Sequence, residues 1–281
     1  MKHAAPTPHP PAQHRPRRRR SVFSTVLGGF GEVLITLGVL GMLFVAWELW
    51  WTGIDAERDR QESAEEYYAG LEEYRPGSED EEIDFDVCYT LEDGTEIGCA
   101  PSMNDLADGV STMGMAYVPR LGEDWATPIR HGTGPEQIDR GALGHYTTTQ
   151  MPDEPGNFAL AGHRQTNGNM LGNQDDLQTG DRIYIEAAEG IFVYEVAERE
   201  VVLPHETRVL EAVPSEAGAE PESGVLTFTT CHPLFSNAER LIHHAEITDF
   251  IPYGGQAPEE IDHHLQASGW TDDDPLLAGE N

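Results

Sequence analysis

The chain has 281 residues, 50 acidic and 17 basic, for a formal net charge of −33. That balance excludes nucleic-acid phosphates and anionic lipid headgroups as the main partners of the folded part. Three cysteines exclude a disulfide-dense scaffold and a four-cysteine zinc site, while 29 glycines, nine Phe, nine Tyr and strand-like runs exclude a disordered acidic chain.

The charge is unevenly spread. Residues 1–20 hold Lys2, Arg15 and Arg17 to Arg20, with Pro and His between them, no acid and no apolar period; they read as a basic, disordered cytoplasmic tail. Residues 21–53 follow as a transmembrane anchor. Val33 to Trp47 contains no charge, and about 20 residues at roughly 1.5 Å each span a hydrocarbon core. Glu32, just before that stretch, is a costly carboxylate within the anchor. Trp47, Trp50 and Trp51 stand where indole prefers the interface. A signal peptide is the competing reading, but the run is long for one and lacks a small-x-small site before Glu48. The Arg run places the N-terminus in the cytoplasm and everything after Ile54 outside, where the net charge is −37.

Residues 54–111 read as an acidic extracellular stalk or insertion. Asp55 to Tyr74 suggests a charged helix ending near Pro76-Gly77. Asp93-Gly94, between alternating residues, predicts a hairpin that brings Cys88 and Cys99 face to face, a candidate disulfide in an oxidising exterior. Two free thiols is the other reading. From there the chain turns strand-rich: Met115–Pro119, Asn157–Ala161, Arg182–Glu186, Ile191–Glu200, Val225–Thr229 and Leu241–Thr248 are short, alternating or β-branched, and bounded by Gly, Pro or Asp. Residues 112–252 therefore predict an all-β barrel or sandwich. Residues 253–281 read as an acidic, peripheral C-terminal tail.

Three residues of the β-rich region can form a reactive group. Cys231 ends the run Val225-Leu-Thr-Phe-Thr-Thr230-Cys231, and is the odd cysteine once Cys88 and Cys99 pair. A thiolate needs a cation or base nearby. His163, in Ala161-Gly-His-Arg164, stands at another strand end, and Arg240 opens the strand after Cys231. Thiolate, imidazole and guanidinium together suit acyl transfer through a thioester, with the guanidinium balancing charge on the tetrahedral intermediate. Adjacent strand residues point to opposite faces, so His243-His244 reads as structural, and His263-His264 is likewise given no metal. Acidic residues are too common for Asp175, Asp176 or Glu216 to be singled out as calcium ligands. A non-catalytic surface-binding module with a buried Cys231 is the alternative from another class; a secreted cysteine peptidase is the enzymatic rival.

The context of these residues resembles the sortases. Thr227-Phe-Thr-Thr230-Cys231 matches the family's Thr-Leu-x-Thr-Cys signature except at Phe228, the arginine falls at plus nine, and Asn157-Phe-Ala-Leu-Ala-Gly-His163 fits the strand bearing the family histidine. Gly144-His-Tyr146, Cys231-His-Pro and Leu34-Ile-Thr-Leu-Gly with Glu48-Leu-Trp-Trp-Thr52 are similar to class E sortases of high-GC actinobacteria. The resemblance covers about residues 20–53 and 112–252. It implies an eight-stranded β-barrel with short helices behind one transmembrane helix, single-pass in the cell membrane, acting as a cysteine transpeptidase without a cofactor. Cys231 would be the nucleophile, His163 the acid, and Arg240 the group steadying substrate and oxyanion; the family pattern favours His163 over His232. Thr230 would contact substrate beside the nucleophile, and Tyr146 would favour Ala over Pro in a Leu-Ala-x-Thr-Gly signal. The implied partners are surface proteins bearing a C-terminal sorting signal and a lipid-linked peptidoglycan precursor as amine acceptor, with no nucleic acid. Phe228 is neutral if it faces the core, and alters substrate choice if it faces the groove.

Overall fold

The structure, a computed structural model, describes residues 22–71, 74, 85–268 and 270. They belong to two units, Met1–Glu48 and Leu49–Asn281. The first holds the start of helix α1, Val22–Gly70. Within it Val26–Val45, at mean hydropathy 1.9, is long and apolar enough to cross a membrane. Leu27, Phe30, Leu34 and Leu43 there are exposed.

The second unit is built on a closed barrel of eight strands: β3 Thr112–Tyr117, β4 Ala126–His131, β5 Leu143–His145, β6 Gly156–Ala161, β7 Arg182–Glu186, β8 Gly190–Val202, β9 Gly224–His232 and β10 Glu239–Pro252. Around the barrel they run β10-β8-β7-β3-β4-β5-β6-β9, with β9 closing on β10. Two neighbouring pairs, β4 with β5 and β6 with β9, are parallel. Parallel neighbours need a crossover rather than a tight turn. Between β4 and β5 this is residues 132–142, containing the short helix α3, Pro135–Ile138. Between β6 and β9 it is the β7–β8 hairpin and its flanking loops.

Strand alternation sends one set of side chains inward. Phe158, Leu160, Ile183, Ile185, Leu226 and Phe228 share the interior cluster, so Phe228 is a core residue with no exposed surface. The period-2 signal was legible in β6, β7 and β9 for this reason. On β3, β7 and β8 the outer face is covered as well. Met115, Tyr117, Tyr184, Ile191 and Val193 pack with Tyr67 of α1 and Leu71 just past it, and with Ile261, Leu265 and Trp270. All six residues of β3 are buried in consequence.

Two segments that composition marks as peripheral belong to this packing. The hairpin of β1, Val87–Thr90, and β2, Glu96–Gly98, forms around Asp93-Gly94 with Gly94 at φ +94°, and Cys88 is disulfide-bonded to Cys99 across it. Ile97, Ala100 and Met103 then enter the barrel's interior cluster, fully buried. A Cβ on Gly98 would lie 2.2 Å from the Phe250 ring, so only glycine allows that approach. Short helix α2, Pro101–Asp105, is tied down by Glu189, which accepts from Ser102 N at 2.9 Å and Ser102 Oγ at 2.6 Å. After β10, helix α4, Asp262–Ser268, buries Leu265 between polar neighbours His264 and Gln266, and Trp270 Nε1 donates to Gly255 O at 2.9 Å. High charge density hid an apolar face in both segments.

Candidate active site

Strand register, rather than any local motif, gathers the three reactive side chains. In the antiparallel β9–β10 pair, Cys231 stands directly opposite Arg240. In the parallel β6–β9 pair, Ala161 is level with Thr229, and Gly162 N donates to Thr229 O at 3.1 Å. The ladder thus carries His163 to the level of Cys231. Thiol and guanidinium come from the adjacent strands β9 and β10, and the imidazole from the chain just past β6, at one height. Leu226 and Phe228 point inward, so Cys231, an odd position on the same strand, points outward. It is a free, partly exposed thiol, and lines a cleft of about 350 Å³ with residues 163–166 and Phe235 to Asn237. Phe235 is 82% exposed. A cleft of this size is within the range of ligand sites.

Each predicted residue has a definite place. His163 Nε2 lies 2.6 Å from Asp139 Oδ1 and 3.4 Å from Asn167 Nδ2. Arg240 Nη1 donates to the carbonyls of Glu239, at 2.9 Å, and Asn237, at 3.2 Å. The guanidinium therefore folds back on the β9–β10 loop rather than lining the cleft. Thr230 is buried, its hydroxyl donating to Gly162 O at 2.7 Å. That ties the nucleophile's neighbour to the residue before His163, but turns the hydroxyl away from a ligand in the cleft. Tyr146 OH is 3.0 Å from Thr229 Oγ1, two residues before Cys231 and on the same outward face.

Residues that carried no signal in the sequence complete the surroundings. Arg164 is 5% exposed. Its Nη1 donates to Cys231 O at 3.2 Å and to His232 Nδ1 at 2.8 Å, and its Nη2 donates to Asp175. Arg199 reaches the other oxygen of Asp175 at 2.8 Å. Burial opposes ionisation of Asp175, but hydrogen bonds from both arginines outweigh it and hold the carboxyl below the usual range. The imidazole of His232 is thereby occupied from behind. Asp139, Arg164 and Asp175 have ordinary sequence neighbours, so only topology reveals them.

The remaining histidines are held structurally. His243 Nδ1 meets Gln174 Nε2 at 3.0 Å, while His244 Nδ1 meets Thr227 Oγ1 at 2.8 Å, so adjacent strand residues do diverge. Burial pushes His243 down to about 4, and burial reinforced by His131 pushes His145 down to about 4. His263 and His264 both face Glu123 O. Among the described residues no group of three His, Cys, Asp or Glu stands placed to hold a metal ion.

An outward thiol on a closed barrel, sharing a cleft with an imidazole and with an arginine opposite it in register, has the groups that cysteine acyl transfer needs. Comparisons with known proteins identify the lineage. The Sortase domain family model matches residues 116–248. Sortase SrtE1 of Streptomyces coelicolor is 30% identical over 266 residues, 92% of this chain and 67% of that protein. Sortase SrtE2 of the same organism is 28% identical over 256 residues, 87% of this chain and 92% of its own. The solved structure of the SrtA sortase from Actinomyces oris superposes with a TM-score of 0.51 at 38% identity, covering 53% of this chain and 87% of that one. The chain belongs to the sortase family of cysteine transpeptidases.

Proposed function

We propose that the protein is a membrane-anchored class E sortase that cleaves a Leu-Ala-x-Thr-Gly-like sorting signal between Thr and Gly, and joins the Thr carboxyl to a peptidoglycan-precursor amine. The alignment of His163, just past β6, with Cys231 on β9 and Arg240 on β10 carries this reading. In the first half-reaction the Cys231 thiolate adds to the Thr carbonyl carbon, and Arg240 swings from its loop carbonyls to the oxyanion. The C–N bond breaks, His163 gives a proton to the departing Gly amine, and a thioester remains. In the second, the acceptor amine adds to that carbonyl and loses a proton to His163. The C–S bond breaks and the thiolate is restored. Tyr146, held against Thr229 on the outward face, is the proposed contact for the Ala of the signal. Thr230 acts from beneath, by fixing Gly162.

The apolar run Val26–Val45 supports an anchor. The arginines before it support a cytoplasmic N-terminus with the enzyme outside, and the Cys88–Cys99 bond suits an oxidising exterior. The test is product analysis by mass spectrometry. The protein is incubated with Leu-Ala-x-Thr-Gly or Leu-Pro-x-Thr-Gly peptides, each with and without a small primary amine. The reading expects an amide of the Thr carboxyl, formed preferentially from the Ala peptide. Free acid as the sole product in the presence of amine would identify a hydrolase instead.

A further inference from the structure

The crossover between β4 and β5 brings a carboxylate to the imidazole of His163, and the reason is topological. β5 and β6 are antiparallel with Gly144 opposite Ala161. Chain preceding β5 therefore lies alongside chain following β6. That sets Asp139, just past α3, beside His163, with Asp139 Oδ1 2.6 Å from His163 Nε2. A carboxylate only accepts hydrogen bonds, so the contact calls for the proton on Nε2 and leaves Nδ1 as the other ring nitrogen.

A turn of α1 holds the same crossover from outside. Asp59 Oδ2 accepts from Arg140 Nε at 3.0 Å. Gly141, at φ +72°, lies against the helix backbone so closely that a Cβ there would sit 2.4 Å from Ala56 O. Gly168, on the loop after His163, meets the other side of the same residue, and its Cβ would lie 3.1 Å from that of Ala56. Ala56 is 2% exposed. One helical turn thus packs on both the Asp139 turn and the His163 loop.

Resting on the reading of His163 as the proton-transferring group, we infer that Asp139 is its positioning residue, selecting Nδ1 as the nitrogen that exchanges protons with the substrate, and that the Ala56–Asp59 turn of α1 holds Asp139 in register. Charged and titratable groups facing this pair are Arg140 from its own turn, Asp59 and Arg60 from α1, and Cys231 from β9; Arg164 is turned toward Cys231 O. A segment that reads in the sequence as a spacer becomes part of the catalytic apparatus.

The test uses the full-length protein and a fluorogenic Leu-Ala-x-Thr-Gly peptide with amine. Asp139→Ala is expected to lower kcat about 10- to 100-fold, with KM changed less than about threefold, as orientation effects do. Asp139→Asn keeps an acceptor oxygen and should recover most of that loss. Arg140→Ala and Asp59→Ala, which act one contact further away, should each lower kcat about three- to tenfold. Nitrogen-15 spectra of histidine-labelled protein should show His163 as the Nε2–H tautomer in the wild type, and as a mixture in Asp139→Ala. Thermal melts identify any variant whose loss is unfolding; Asp139→Asn and the tautomer signal then decide the question. Unchanged kcat in Asp139→Ala, or an unchanged tautomer, overturns the inference while leaving the role of His163 intact. Full activity in His163→Ala would instead sink that role itself.

Discussion

The barrel has two outer faces of opposite fate. On β3, β7 and β8, polar groups are sealed under α1 and α4: Tyr117 OH donates to Glu186, which is fully buried, and Tyr68 OH stands 2.8 Å from Tyr117 OH. On β9 the outward Cys231 is partly exposed and lines an open cleft, while Thr229, two residues before it, is buried against Tyr146. A hydroxyl or carboxylate under cover is committed to structure, because an unpaired polar group there costs about 1–3 kcal/mol. The same chemistry on the open face is free to meet a substrate. Coverage, more than residue type, divides scaffold from site.

Substitutions on the open face should remove activity while sparing the fold. Cys231→Ala should lower transpeptidation at least about 1,000-fold, because no other group supplies the nucleophile, with an unchanged thermal midpoint. His163→Ala and Arg240→Ala should each cost about 100- to 1,000-fold in kcat, again with near-native melts. A large loss of thermal stability in any of these would place the residue in the scaffold and break the comparison.

Interior histidines test the buried scaffold by pH. His145 and His243 have native values near 4, below the value of about 6.5 they regain on unfolding. The unfolded chain therefore binds protons first as pH falls. Stability is complete above about pH 6.5 and declines toward pH 4, by up to about 1.4 kcal/mol per unit for each histidine. Melting from pH 7 to 4.5 should show this slope, and His243→Gln should flatten it. A midpoint independent of pH across that window would contradict the assignment. The smallest contrast is one edit made on both faces. Tyr117→Phe, which strips a donor from buried Glu186, should destabilise by about 1–3 kcal/mol, and Tyr146→Phe by about 0.5–1.5 kcal/mol, both read from denaturant unfolding. Equal costs would erase the distinction.

Legibility in the sequence followed the same division. β7 is read in full, β6 but for its first residue, and β9 over Val225–Thr229, because an inward apolar residue at every second position leaves a pattern. β4 and β5 were missed. β4 carries Pro128 in mid-strand, which argues against a strand, and β5 is three residues long with Gly144 at its centre. The hairpin was legible from Asp93-Gly94, but its role in closing the barrel was not, since Ile97 and Met103 sit among acids. In the site, Cys231 and Arg240 were visible because a hairpin converts close spacing into opposition. Asp139 reaches His163 across 24 residues through a crossover, and no local spacing encodes that. Lys2 is the only lysine in the sequence, so residues 54–281 offer no ε-amine to attack a thioester on Cys231.

Intact-mass measurement after brief incubation with a Leu-Ala-x-Thr-Gly peptide, without amine and quenched in acid, tests the central claim most directly. The account predicts an added mass equal to the peptide through Thr, released by hydroxylamine, mapped to Cys231 after digestion and absent in Cys231→Ala. An adduct on another residue, or peptide cleavage that persists in Cys231→Ala, would contradict it.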